Sequence, residues 1–159
     1  MKLVVQRVLE AEVRVGEESV GRVGRGMLVL LGVMQGDGEA QVRSLAEKLA
    51  RFRFFPDERG RMNLSALDEG LEVLIVSQFT LAADGRKGRR PSFDKAAAPE
   101  LAEPLYELFV AHLAELGLRT ATGRFGAAMR IHILADGPVT FVLEEPPGSP
   151  AAPGQSSQV

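Results

Sequence analysis

The stretch ADGPVTFVLEE, residues 135–145, reads as a β-strand interrupted by a Gly-Pro pair. Before the pair, Ile131, Ile133 and Ala135 alternate with His132 and Asp136; after it, Val139, Phe141 and Leu143 alternate with Thr140 and Val142. Proline has no N–H to give to a ladder, and glycine has no side chain to pack. The pair therefore marks either a bulge or edge, or a place where main chain comes close to a ligand and turns its carbonyls outward.

Working outward, the patterns alternate between strand and helix, which sets the class as α/β. The N-terminal LVVQRVLEAEVRV, SVGRVG and MLVLLGVM read as several short strands, the last one buried by its continuity. Val42, Leu45, Ala46, Leu49 and Phe52 recur at helical spacing. LEVLIVSQF is a second buried strand. A second helix follows in PELAEPLYELFVAHLAELG, with Leu105, Leu108, Phe109 and Leu113 on one face and Gly117 as its stop. Pro104 fits that helix if it lies in the first turn. Residues 146–159, PPGSPAAPGQSSQV, have no apolar period and read as a disordered tail beyond a single domain of residues 1–145.

The chain has 159 residues, a formal net charge of −2 and no cysteine. No apolar run is long enough to span a membrane, so a cytoplasmic protein is expected. Cysteine nucleophiles, thiolate metal sites and disulfides are excluded. His112 and His132 are the only histidines, one in a helical stretch and one in a strand, neither at metal-ligand spacing. An enzyme built on this chain is expected to work without metal, without cofactor and without an imidazole base.

Two further stretches carry polar chemistry. SQFTLAAD, residues 77–84, leaves a buried strand with Ser77, Gln78 and Thr80 as polar groups and Phe79 and Leu81 as apolar wall. It is either a ligand-facing loop or a polar strand end with Phe79 in the core. GRKGRRPSF, residues 85–93, clusters Arg86, Lys87, Arg89 and Arg90. Those charges suit phosphate oxygens, or form a solvated loop.

In order along the chain stand VQRV, GMLVLLGV, RMNL, SQFTLAAD, RPSF, TGRFGAAM and DGPVTF. Together they resemble the D-aminoacyl-tRNA deacylases of the bacterial and eukaryotic type, over residues 1 to about 145. The resemblance implies a three-layer β/β/α fold with a mixed sheet and two main helices. It implies a homodimer that hydrolyses the ester of tRNA carrying a D-amino acid or glycine. In that family the Gly-Pro peptide is cis and its loop reaches the active site of the other subunit.

Carried over by position, Gly137 and Pro138 become the chiral filter, and Ser77, Gln78, Phe79, Thr80 and Leu81 the facing wall. Main-chain N–H groups of Phe79 and Thr80 would hold the oxyanion, while the 2′-hydroxyl of the terminal ribose moves the proton. Thr80 as a covalent nucleophile is the rival reading. Arg7, Phe125, Ala127 and Met129 would brace the pocket or the loop, although the last three also suit plain core packing. Arg86, Lys87, Arg89 and Arg90 would meet acceptor-end phosphates. Family members usually carry Asn two residues before this Gly, where this chain has Ala135. A nucleic-acid-binding module without catalysis, or an esterase of small substrates, remains the alternative.

Overall fold

The computed structural model describes residues 1–86 and 88–148. Lys87 and residues 149–159, which hold most of the expected tail, lie outside the described residues. The chain is still tied to the body just past residue 145, where the Gln41 side-chain amide donates to the Pro146 carbonyl at 3.5 Å.

The three N-terminal stretches form three strands, as their patterns predict, but the first is not short: β1 runs Lys2–Val15 over 14 residues. It persists because both of its edges are paired. On one edge lie β3 (Gly26–Gly32), along residues 2–8, and β2 (Glu18–Val23), along residues 11–15. On the other edge the last strand (Arg130–Glu144) runs antiparallel to almost its whole length. Next to β3 comes a parallel strand, Glu72–Ser77, and beside that a second parallel one, Arg119–Thr122. Between β3 and Glu72–Ser77 lie α1 (Glu39–Arg51) and a small hairpin of β4 (Phe55–Pro56) and β5 (Met62–Leu64). We label the Glu72–Ser77 strand β6. After it come α2 (Pro99–Glu115), then β7 (Arg119–Thr122) and β8 (Arg130–Glu144). Each parallel pair is thus joined through a helix, as parallel pairing requires.

The two faces of β3 and β6 build two cores, because alternate residues point opposite ways. Met27, Val29, Leu31, Val73 and Ile75 pack with Val42, Leu45 and Leu49 of α1 and Leu105, Phe109 and Leu113 of α2. Leu28, Leu74 and Val76 pack the other way, against Val8, Ala11, Val13 and Val23 of the curled outer strands. The result is the β/β/α layering. Burying these side chains contributes roughly 1.5–3 kcal/mol each, which is why the apolar stripes in the sequence report the layers faithfully.

Two local features differ from, or refine, the sequence reading. Pro104 lies inside α2 and beyond its first turn, since that helix already begins at Pro99. Having no N–H, Pro104 cannot donate to the Glu100 carbonyl, a loss tolerated on a face where residues 103 and 104 are exposed. The helix then ends as expected at glycine. Gly117 takes φ +99°, its N–H reaches the Ala114 carbonyl (3.0 Å) and the Leu118 N–H reaches Leu113 (3.1 Å), a Schellman closure.

The outer layer closes onto the middle one at Gly21, where a Cβ would overlap the main-chain carbonyl of Thr122 in β7. Backbone cannot swing aside as a side chain can. Gly21→Ala is therefore expected to lower the unfolding free energy by about 1–3 kcal/mol, read by denaturant titration; an unchanged midpoint would contradict this closure.

Candidate functional site

Ser77 ends β6 opposite Leu31 of β3. The next residue, Gln78, donates its main-chain N–H to the Leu31 carbonyl at 2.7 Å, so the chain follows β3 for one more step. It then folds into a short 3₁₀ turn, Phe79–Ala82, laid directly over Gly32. A Cβ on Gly32 would sit 3.0 Å from both the Gln78 carbonyl oxygen and the Leu81 Cβ. Glycine there lets the turn lie close. Within the turn, the Gln78 side-chain amide donates to the Thr80 hydroxyl at 2.6 Å. Phe79 is 60% exposed and stands edge-on to Phe93, with centroids 5.1 Å apart.

The facing wall is the segment between β7 and β8. Gly123 donates to the Ile75 carbonyl at 3.0 Å, and a Cβ there would lie only 2.7 Å from the Met129 sulfur. That glycine lets Met129 close over the end of β6. Phe125 leans on Tyr106 of α2 with centroids 5.9 Å apart. Between the two walls is a cleft of about 550 Å³, lined by Ser77, Gln78 and Phe79 on one side and Phe125, Ala127 and Met129 on the other. Its α2 side includes Tyr106, a residue that the motifs did not single out. No lining residue is His, Asp, Glu, Lys or Arg.

Gly137 and Pro138 do not line this cleft, and neither does Arg7. Their peptide bond is cis, and residues 136–139 bulge out of β8 opposite Arg7, between the pairs Gln6–Thr140 and Val8–Ala135. Gly137 adopts φ +149°, and a methyl on it would overlap the Val139 amide nitrogen. Arg7 holds the bulge: its Nε lies 3.3 Å from the Asp136 carbonyl and 2.9 Å from the Asp136 carboxylate, while Nη1 donates to the Phe54 carbonyl at 2.9 Å. Ala135 has no side-chain group to share that task. Arg7 pairs with Met27, whereas Ser77 pairs with Leu31. Four strand residues, roughly 13 Å, separate the two levels, and β8 lies on the far edge of β1. Within one chain the loop and the cleft are separate places.

The family model described as D-Tyr-tRNA(Tyr) deacylase matches residues 4–144. The chain belongs to that family. It is 57% identical over 144 residues to a D-aminoacyl-tRNA deacylase of Roseiflexus sp. (strain RS-1), covering 91% of this chain and 93% of that protein. A D-aminoacyl-tRNA deacylase of Brevibacillus brevis is 54% identical, with 91% and 99% covered. Among solved structures, the c-Myc DNA Unwinding Element Binding Protein superposes with a TM-score of 0.87 at 42% identity, covering 92% and 99%. A probable eukaryotic D-amino acid tRNA deacylase gives 0.79 at 17% identity, covering 89% and 97%, and so shares the fold.

The basic loop is partly spoken for in this chain. Arg86 forks onto the Asp84 carboxylate, and Lys95 stands 3.6 Å from it. Hydrogen bonds from Arg86, above all, hold the Asp84 carboxyl well below the usual carboxylate range. Arg89 and Arg90 make no ion pair among the described residues; Lys87 lies outside them.

Tyr106 shows how the cleft is kept rigid. It is buried, and its hydroxyl donates to the Ile75 carbonyl at 2.9 Å. Burial pushes the phenol up to about 12. The sign follows: the folded form holds its proton longer than the unfolded chain, whose phenol ionises near 10. The contribution of this group to stability is constant below about pH 10 and falls as pH rises from about 10 to about 12. Tyr106 is the only tyrosine and there is no tryptophan, so an ultraviolet titration reads it alone. The expected midpoint is near 12 when folded and near 10 in denaturant; equal midpoints would contradict the buried hydroxyl.

Proposed function

We infer that the chain hydrolyses D-aminoacyl-tRNA to free D-amino acid and tRNA. The observation that carries this is identity above half, across nine-tenths of the chain, to proteins that are named for that reaction. The cleft supports it chemically. An aminoacyl ester is already activated, so position and oxyanion stabilisation suffice, and a lining without His, Asp, Glu, Lys or Arg matches that need. The main-chain N–H groups of Phe79 and Thr80 donate to no main-chain carbonyl among the described residues, which leaves them free for a developing oxyanion. Such a donor contributes about 3–4 kcal/mol. The 2′-hydroxyl of the terminal ribose moves the proton. Thr80 is not the nucleophile in this reading: its hydrogen-bond partner is the Gln78 amide, which is no base.

The protein acts as a homodimer in which the Gly137–Pro138 loop of one copy faces the cleft of the other. Three facts support this: the loop is exposed, it is remote from its own cleft, and the outer edge of β8 is unpaired among the described residues, with Leu134 and Val142 exposed. Rigid main chain then fills the space an L side chain would need, whereas a D side chain points away and glycine, having none, is accepted. The Arg7 contacts give the loop that rigidity. Arg89 and Arg90, with the rest of their loop, meet acceptor-end phosphates. The site of action is the cytoplasm, and no described helix is long and apolar enough to cross a membrane.

A second reading, binding of nucleic acid without turnover, is favoured by the 42% identity to a solved protein named for binding a DNA unwinding element. Catalysis separates the two. Substoichiometric protein is expected to release D-amino acids and glycine from tRNA while leaving L-aminoacyl-tRNA intact; stable binding without release would favour the second reading. A substrate ending in 2′-deoxyadenosine is expected to react at least roughly 10²-fold more slowly in single turnover. Thr80→Val is expected to retain hydrolysis within about 10-fold, since only one hydrogen bond is lost; abolished hydrolysis with tRNA binding intact would restore Thr80 as nucleophile.

In the basic loop, Arg89→Gln with Arg90→Gln should weaken tRNA binding and shrink the slope of log affinity against log salt by about 2. An unchanged slope would remove these two residues from the tRNA interface.

A further inference from the structure

A second set of cations lies far from the basic loop in sequence. Between residues 51 and 61 the chain carries Arg51, Arg53, Arg59 and Arg61 against only Asp57 and Glu58. All four arginines are exposed. Elsewhere cations are mostly neutralised in place: Arg7, Arg22, Arg86, Arg119 and Arg124 all have carboxylate partners. None of the four arginines at 51–61 makes an ion pair among the described residues. On a chain whose net charge is −2 this local excess stands out.

The β4–β5 turn presents two of them on a fixed frame. The Asp57 carboxylate accepts the main-chain N–H groups of Arg59 and Arg61, each at 2.9 Å, so its charge is spent on the turn and not on a guanidinium. The Asp57 N–H meets the Arg61 carbonyl at 2.8 Å, the Gly60 N–H meets the Asp57 carbonyl at 2.9 Å, and Gly60 takes φ +73°. Backbone is locked while both guanidinium groups remain free. A fixed backbone lowers the ordering cost of binding.

The hairpin also stands beside the Gly137–Pro138 bulge. Arg7 bonds both the Asp136 carbonyl and the Phe54 carbonyl, and Phe52 and Phe54 pack their rings on Phe141 with centroids 5.1 and 5.6 Å away. A polyanion whose reactive end meets that bulge has backbone within reach of the hairpin. We propose that Arg59 and Arg61, flanked by Arg51 and Arg53, form a second phosphate-binding surface that holds the tRNA backbone next to the Gly137–Pro138 loop. This rests on the reading of tRNA as substrate. It adds an anchor separate from Arg89 and Arg90.

The test measures binding of uncharged tRNA across a salt series, alongside hydrolysis of a D-aminoacyl-adenosine, which has the reacting end but no RNA body. Arg59→Gln with Arg61→Gln is expected to weaken tRNA binding about 10-fold near physiological salt and to reduce the salt slope by nearly 2. Arg59→Lys with Arg61→Lys should restore most of both, because charge is kept. Hydrolysis of the small substrate should be unchanged in all variants. The proposal is overturned if the glutamine variant binds tRNA with unaltered affinity and slope, or if small-substrate hydrolysis falls in parallel with tRNA binding. Should the wild-type protein bind tRNA yet hydrolyse neither substrate, the deacylase reading fails, and the hairpin surface is still judged by the binding series.

Discussion

The structure depends on β1 being paired along both edges. One edge takes β3 and β2 in succession, and the other takes β8, so this strand belongs to both β layers at once. A strand satisfied on both sides can stay regular over its whole length, and its alternating side chains then supply the two cores. The β1–β8 ladder shifts register at Leu9, between the pairs Val8–Ala135 and Glu10–Leu134, and gives way at the bulge of residues 136–139. Arg7 fills the gap with three polar contacts, to Asp136 and Phe54. The irregularity is thus compensated locally, and the main chain it exposes is held in place.

The cleft arises from a different constraint, the parallel pairing of β3, β6 and β7. Parallel strands put their carboxyl ends at one edge, so the loops that leave β6 and β7 emerge side by side. Two glycines set how close they come. Gly32 admits the turn after Ser77, and Gly123 admits Met129. Tyr106 then ties α2 to the β6 backbone beneath them. What results is polar at one rim, aromatic at the other, and without His, Asp, Glu, Lys or Arg in its lining. Chemistry in such a place depends on geometry, which fits an ester that needs little activation.

Charge on this protein is organised by what is already neutralised. Arg86 belongs to the basic loop by sequence, yet Asp84 holds it. Arg59 and Arg61 lie in a stretch that looks like an ordinary turn, yet the only nearby aspartate is occupied by main-chain amides. Counting cations along a sequence therefore misjudges which are available to a phosphate. The contacts of the anions decide it.

Taken alone, the sequence determined the helices, the two buried strands, the glycine stop of α2 and the motif set that marks the family, because each is written in residues a few positions apart. Apolar spacing reports which face is buried whatever lies opposite. It gave Pro104 a place only in a first turn and called β1 short, since tolerance of a helix proline and strand length depend on surroundings that spacing does not describe. Only the tertiary structure decided that Phe125 and Met129 stand across from Ser77, that Tyr106 underlies them, and that Arg7 pins a loop 129 residues away. Those relations come from register between strands remote in sequence, and register is set by pairing and packing together. The separation of the Gly137–Pro138 bulge from the cleft belongs to the same order: strand pairing puts them on different edges, which no local pattern of residues encodes.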